Sequence, residues 1–78
     1  MNVRNNIRLG RIVHKNVRSK DMQDAGNVAA VDNNSIIILS EGAKHEYKIP
    51  KSRVAGYNGA EIFLDIPYSN LSNFEVRM

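Results

Sequence analysis

The 78-residue sequence predicts a single small all-β domain. Short apolar runs recur about every ten residues, separated by Gly, Asn, Asp or Pro. Where polar and apolar residues alternate, they do so with a period of two, as in His45-Glu-Tyr-Lys-Ile49. No segment keeps a helical period beyond roughly one turn. Five or six strands at this spacing make a sandwich or a barrel, and closure into a barrel removes the exposed sheet edges.

The elements follow in order. Residues 1–10 show no clean period and form a basic arm, with an edge strand expected over Val3 to Leu9. The domain proper covers residues 11–78. Arg11 to Arg18 contains Ile12, Val13 and Val17 and predicts a short strand. Ser19 to Gly26 is polar, ends in glycine and predicts a hairpin loop, followed by a strand over Asn27–Val31. Asp32-Asn-Asn34 predicts a turn, because asparagine tolerates positive φ better than most residues. Ser35-Ile-Ile-Ile-Leu-Ser40 is the clearest strand, and Glu41–Lys44 turns the chain again. His45–Ile49 places Tyr47 and Ile49 on one face, and Pro50 ends it for want of an N–H. Lys51–Val54 predicts one helical turn. Asn58-Gly59 predicts a type I′ hairpin between Val54–Tyr57 and Glu61–Ile66. Ser69–Phe74 predicts a final turn that lays Leu71 or Phe74 across an end of the barrel.

A chain this short buries only about 60–65% of the surface that it exposes when unfolded, so its core is thin. There is no cysteine, which removes disulfides and cysteine-based zinc sites as supports. Self-association or docking onto a partner remains. No apolar run is long enough to span a membrane, and the N-terminus lacks the apolar stretch of a signal peptide. A cytoplasmic protein is therefore expected. The net charge of +3 is uneven. Residues 1–20 carry six Lys or Arg and no acid, whereas residues 21–78 carry five Lys or Arg and eight acids.

The ordered blocks Asn16-Val-Arg-Ser-Lys-Asp21, Gly26-Asn-Val28, Val31-Asp-Asn-Asn-Ser-Ile-Ile-Ile38, Glu46-Tyr-Lys-Ile-Pro-Lys-Ser-Arg-Val54 and Tyr57-Asn-Gly-Ala-Glu-Ile-Phe-Leu64 resemble the PRC-barrel family. Within it they resemble the short stand-alone domains of archaea and bacteria. The likeness covers roughly residues 11–72, and its most specific piece is Tyr47-Lys-Ile-Pro-Lys-Ser52 with the hairpin after it. The resemblance implies a six-stranded, SH3-like PRC-type barrel with one or two short helical turns. It also implies docking onto protein or ribonucleoprotein, with archaeal cell division among the roles of such domains. The loop between the first two strands departs from the family pattern: Asp21-Met-Gln-Asp24 stands where Asp-Gly is usual.

No catalytic constellation is legible. The serines are scattered and none sits in a nucleophile elbow. There is no glycine-rich phosphate loop, and a barrel this small is expected to lack a pocket of about 300 Å3 or more. His14 and His45 form no ligand motif, so neither a metal nor another cofactor is expected. If Ile36 and Ile38 face the core, Ile37 and Leu39 face outward, and Phe63 likewise opposes Ile62 and Leu64. Either the arm or the C-terminal turn covers this outer face, or Ile37, Leu39 and Phe63 form a protein interface, most simply of a homodimer; the interface is the expectation. The expected function is a non-catalytic, self-associating adaptor module. The alternative is a nucleic-acid or ribosome-associated factor in which Arg4, Arg8, Arg11, Lys15, Arg18 and Lys20 contact phosphates.

Overall fold

The computed structural model describes residues 12–76. The predicted edge strand over Val3 to Leu9, and with it Arg4, Arg8 and Arg11, lies outside the described residues. Six strands follow one another: β1 (Asn16–Arg18), β2 (Asp24–Val31), β3 (Ser35–Leu39), β4 (Glu46–Pro50), β5 (Val54–Tyr57) and β6 (Glu61–Leu64). Short 3-10 turns occupy Glu41–Ala43, Lys51–Arg53 and Tyr68–Phe74. The strands form one mixed sheet in the order β4-β3-β2-β1-β6-β5. All pairings are antiparallel except that of β1 with β6, which is parallel.

One face of this sheet is the core. Val17, Val28, Ile36, Ile38, Ile49, Ile62 and Leu64 are buried on it, together with Ile12, Ile66 and Leu71 from outside the strands. A sheet can bury a single face on itself only if it curls, and three bulges accompany that curling. Val17 pairs with Gly26 and Arg18 with Asp24, which leaves Ala25 unmatched. The same happens to Ala29 in β2 opposite β3 and to Ala55 in β5 opposite β6. A bulge bends its strand and increases the local right-handed twist. In each case the unmatched residue is alanine, whose methyl adds little crowding at the kink.

Several sequence expectations are corrected by these contacts. The strand expected over Arg11–Arg18 is only Asn16–Arg18, because His14 takes a left-handed φ of 74° and turns the chain. Ile12 dips into the core before that turn and is fully buried. The loop expected to end at Gly26 closes earlier, and β2 begins at Asp24. Gly26 is an interior strand residue with φ +117°, pressed against β3. A Cβ there would lie 2.1 Å from the Leu39 carbonyl oxygen.

Among the described residues the asparagines do not serve as left-handed stand-ins for glycine; the non-glycine residues with positive φ there are His14, Met22 and Ala43. Asp32 and Asn58 shape their turns as side-chain acceptors instead, the alternative open to short polar side chains. Asp32 Oδ1 accepts the N–H of Asn34 at 2.9 Å and that of Ser35 at 2.7 Å. In the Asn58-Gly59 hairpin only Gly59 has positive φ, so the predicted type I′ pair does not form. The strand expected over Glu61–Ile66 ends at Leu64, although Ile66 still reaches the core.

Other expectations hold. The Ile-rich strand, the alternation of β4, the helical turn after Pro50 and the burial of Leu71 by the last turn are all present.

Candidate functional site

The outward face of β3 carries Ile37 and Leu39, both half-buried. Their setting follows from the register. Ile37 lies between Lys48 of β4 and Ala30 of β2, and Leu39 between Glu46 of β4 and Asn27 of β2. An apolar pair is thus flanked along one side by a cation and an anion two residues apart. Phe63 does not join them. It sits on β6, with β2 and β1 intervening, at three strand spacings or roughly 14 Å along the sheet. Its neighbours are Arg18 on β1 and Gly56 on β5, and the missing side chain of Gly56 leaves room beside the ring. The expected three-residue interface therefore divides into a β3 patch and a separate Phe63.

The described part of the basic segment is largely engaged. Arg18 Nε donates to Glu61 Oε2 at 2.8 Å across the β1–β6 ladder. That hydrogen bond raises the guanidinium above its ordinary value. Lys20 Nζ lies 3.7 Å from Asp65 Oδ1. Lys15 precedes β1 and has no ion pair among the described residues.

An open groove of about 490 Å3 runs between the edge of β4 and the C-terminal turn. It is a surface depression and leaves untouched the expectation that the interior of so small a fold has no room for a pocket. The volume lies outside the core, on the surface, where the Tyr68–Phe74 turn leaves the sheet. Pro50, Phe74 and Val76 give it apolar walls, with Lys48, Asn34 and Asn73 at its polar positions. The chain beyond the turn is pinned to β4. Val76 N–H donates to the Glu46 carbonyl at 2.7 Å, Glu75 bridges Tyr47, and His45 Nδ1 lies 2.7 Å from Glu75 Oε2. The Arg53 guanidinium stands 5.9 Å from the centre of the Phe74 ring, within cation–π range. Pro50 cannot donate to an added strand, so the β4 edge is blunted at one end by proline and at the other by the C-terminal segment.

Sequence reasoning missed this groove, because it depends on how the last turn departs from the sheet. It also missed Met22 and Tyr68, the most exposed large apolar side chains among the described residues, at 57% and 48%. The two segments meet: Asp21 Oδ1 accepts the Tyr68 N–H at 3.0 Å, and Lys20 N–H donates to the Ile66 carbonyl at 2.8 Å.

Among the described residues no cluster of His, Cys, Asp or Glu is arranged to hold a metal ion. His14 precedes β1 and His45 precedes β4, in separate loops. No helix among the described residues is long and apolar enough to cross a membrane. No family model, no curated protein and no solved structure matches this chain.

Proposed function

We propose that this chain is a non-catalytic protein-interaction module that self-associates through the outer face of β3. The observation that carries the reading is the Ile37–Leu39 pair with Lys48 and Glu46 beside it. A two-fold interface requires one patch to complement itself. A patch bearing both charges satisfies that condition, because rotation about the axis can set Lys48 of one copy against Glu46 of the other. The thin core of a 78-residue chain without cysteine adds a reason for association.

In this reading the curled sheet closes as a small PRC-type barrel, in keeping with the resemblance of residues 11–72 to that family. Assembly roles such as those in archaeal cell division would follow from the same resemblance. The competing reading, phosphate contact through the basic segment, loses Arg18, which is hydrogen-bonded to Glu61, while Arg4, Arg8 and Arg11 lie outside the described residues.

Light scattering on the purified chain tests the proposal. A dimer at micromolar concentration that becomes a monomer in Ile37→Lys, with unchanged circular dichroism, supports it. A wild-type chain that stays monomeric at high micromolar concentration overturns it. Retention of labelled RNA or DNA by the monomer, lost as salt rises, would favour the competing reading.

A further inference from the structure

The hairpin tip between β5 and β6 combines three features that matter chemically. Asn58 and Gly59 are both exposed. The Asn58 side-chain oxygen accepts two backbone N–H groups, from Ala60 at 2.9 Å and from Glu61 at 2.8 Å. Among the described residues the Gly59 N–H donates no hydrogen bond, and apart from its two chain neighbours no atom lies within 4 Å of where a Gly59 side chain would stand.

We propose that Asn58 is a site of self-modification, converting to aspartate and isoaspartate through a cyclic imide. The Gly59 nitrogen attacks Asn58 Cγ, and a C–N bond forms. The Cγ–Nδ2 bond breaks, and the amide nitrogen leaves as ammonia with the proton from Gly59. One water then opens the imide at either carbonyl. Opening at one carbonyl gives aspartate; opening at the other routes the main chain through the side-chain carbon and gives isoaspartate.

The hairpin favours this step in two ways. The N–H groups of Ala60 and Glu61 are already aimed at the oxygen that gains negative charge as Cγ becomes tetrahedral, the arrangement by which donors stabilise an oxyanion. Gly59 offers the attacking nitrogen without a side chain in the way. Isoaspartate lengthens the backbone at the point where Asn58 N–H meets the Glu61 carbonyl at 3.2 Å. The next pair, Tyr57 with Ile62, carries a core residue, so the lesion loosens the β5–β6 hairpin from its tip. Aspartate at the same position keeps the acceptor oxygen and leaves the register alone.

The test is timed incubation of the full chain at neutral pH, folded and in urea, followed by peptide mapping that separates aspartate from isoaspartate. The expected result is that Asn58 converts ahead of the other nine asparagines in the folded chain, and no more slowly than in urea. Gly59→Ala should slow conversion severalfold in both states, and because that readout is also taken in urea it does not depend on the variant folding. Conversion of any other asparagine first, or an unchanged rate in Gly59→Ala, would overturn the site. Slower conversion in the folded chain than in urea would overturn the part assigned to the two N–H donors.

Discussion

Replacing Gly26 by alanine separates two costs that usually come together. The first is conformational: Gly26 has φ +117°, where an L side chain is strained by about 1–3 kcal/mol. The second is steric. The new methyl would lie 2.1 Å from the Leu39 carbonyl oxygen, 2.7 Å from its carbon and 2.8 Å from Ser40 Cα. All three are backbone atoms of β3 and its end, so no side chain can swing aside. Forcing β2 and β3 apart resembles overpacking a core, at about 1–3 kcal/mol more. The sum of roughly 2–6 kcal/mol compares with a total stability of ~4–12 kcal/mol for a chain of this length. Gly59→Ala is the internal control, with φ +93° and nothing within 4 Å of the added methyl. It should cost only the strain, about 1–2 kcal/mol. Urea titration followed by circular dichroism measures both. With a slope near ~1 kcal/mol/M for a small protein, Gly26→Ala should lower the midpoint by about 2 M or more, or leave the chain unfolded. Equal midpoint shifts in the two variants would refute the close approach of Gly26 to β3.

Three further outcomes are expected. Ile38→Ala, at a fully buried site on β3, should cost about 2–5 kcal/mol in the same titration, whereas exposed Ser52→Ala should change little. Acid should destabilise the fold through depressed carboxylates. The Ser19 hydroxyl and the Tyr68 N–H hold Asp21 below the usual range, the Asn16 amide does so for Asp24, and the Asn34 N–H and Ser35 hydroxyl do so for Asp32. Each contributes fully above the unfolded carboxylate value of about 3.9, and that contribution is lost as pH falls through the lower folded value. Asp32→Asn should therefore flatten the acid limb of a plot of thermal midpoint against pH; an unchanged limb would contradict the assignment. Leu71→Ala should destabilise the chain and loosen the C-terminal segment on β4, seen as faster hydrogen exchange at Val76 N–H, whose acceptor is the Glu46 carbonyl.

Much of the fold is legible in the residues because local chemistry decides it. Three isoleucines in succession make β3, alternation makes β4, and Pro50 stops it. Asp32-Asn-Asn34 and Asn58-Gly59 mark turns whichever way their polar side chains are used. The conformations inside those turns are not legible, since an asparagine can either take positive φ or accept hydrogen bonds, and the flanking strands choose between the two. The bulges were within reach of the sequence. Ala25-Gly26 and Ala55-Gly56 place glycine within β-type runs, a recognised sign of a bulge or a close backbone approach. The polar stretch before Gly26 nevertheless resembles a loop, which makes the glycine read as the loop's end.

The candidate surfaces divide in the same way. That Ile37 and Leu39 share the face opposite the core follows from the two-residue period of a strand, which needs no knowledge of neighbours. That Phe63 lies three strands away from them follows only from the order β4-β3-β2-β1-β6-β5, set by a parallel pairing of β1 with β6 between residues far apart in the chain. The same pairing decides that Arg18 meets Glu61, so a charge that reads as free along the sequence is neutralised in space. The sequence by itself thus determined the all-β class, the strand faces and most chain reversals, because these depend on backbone preferences and burial within a few residues. Tertiary structure alone decided which outward residues form one patch, which cations stay free, and where a groove opens beside β4. Those properties belong to pairs of distant segments, and no local pattern encodes the pairing.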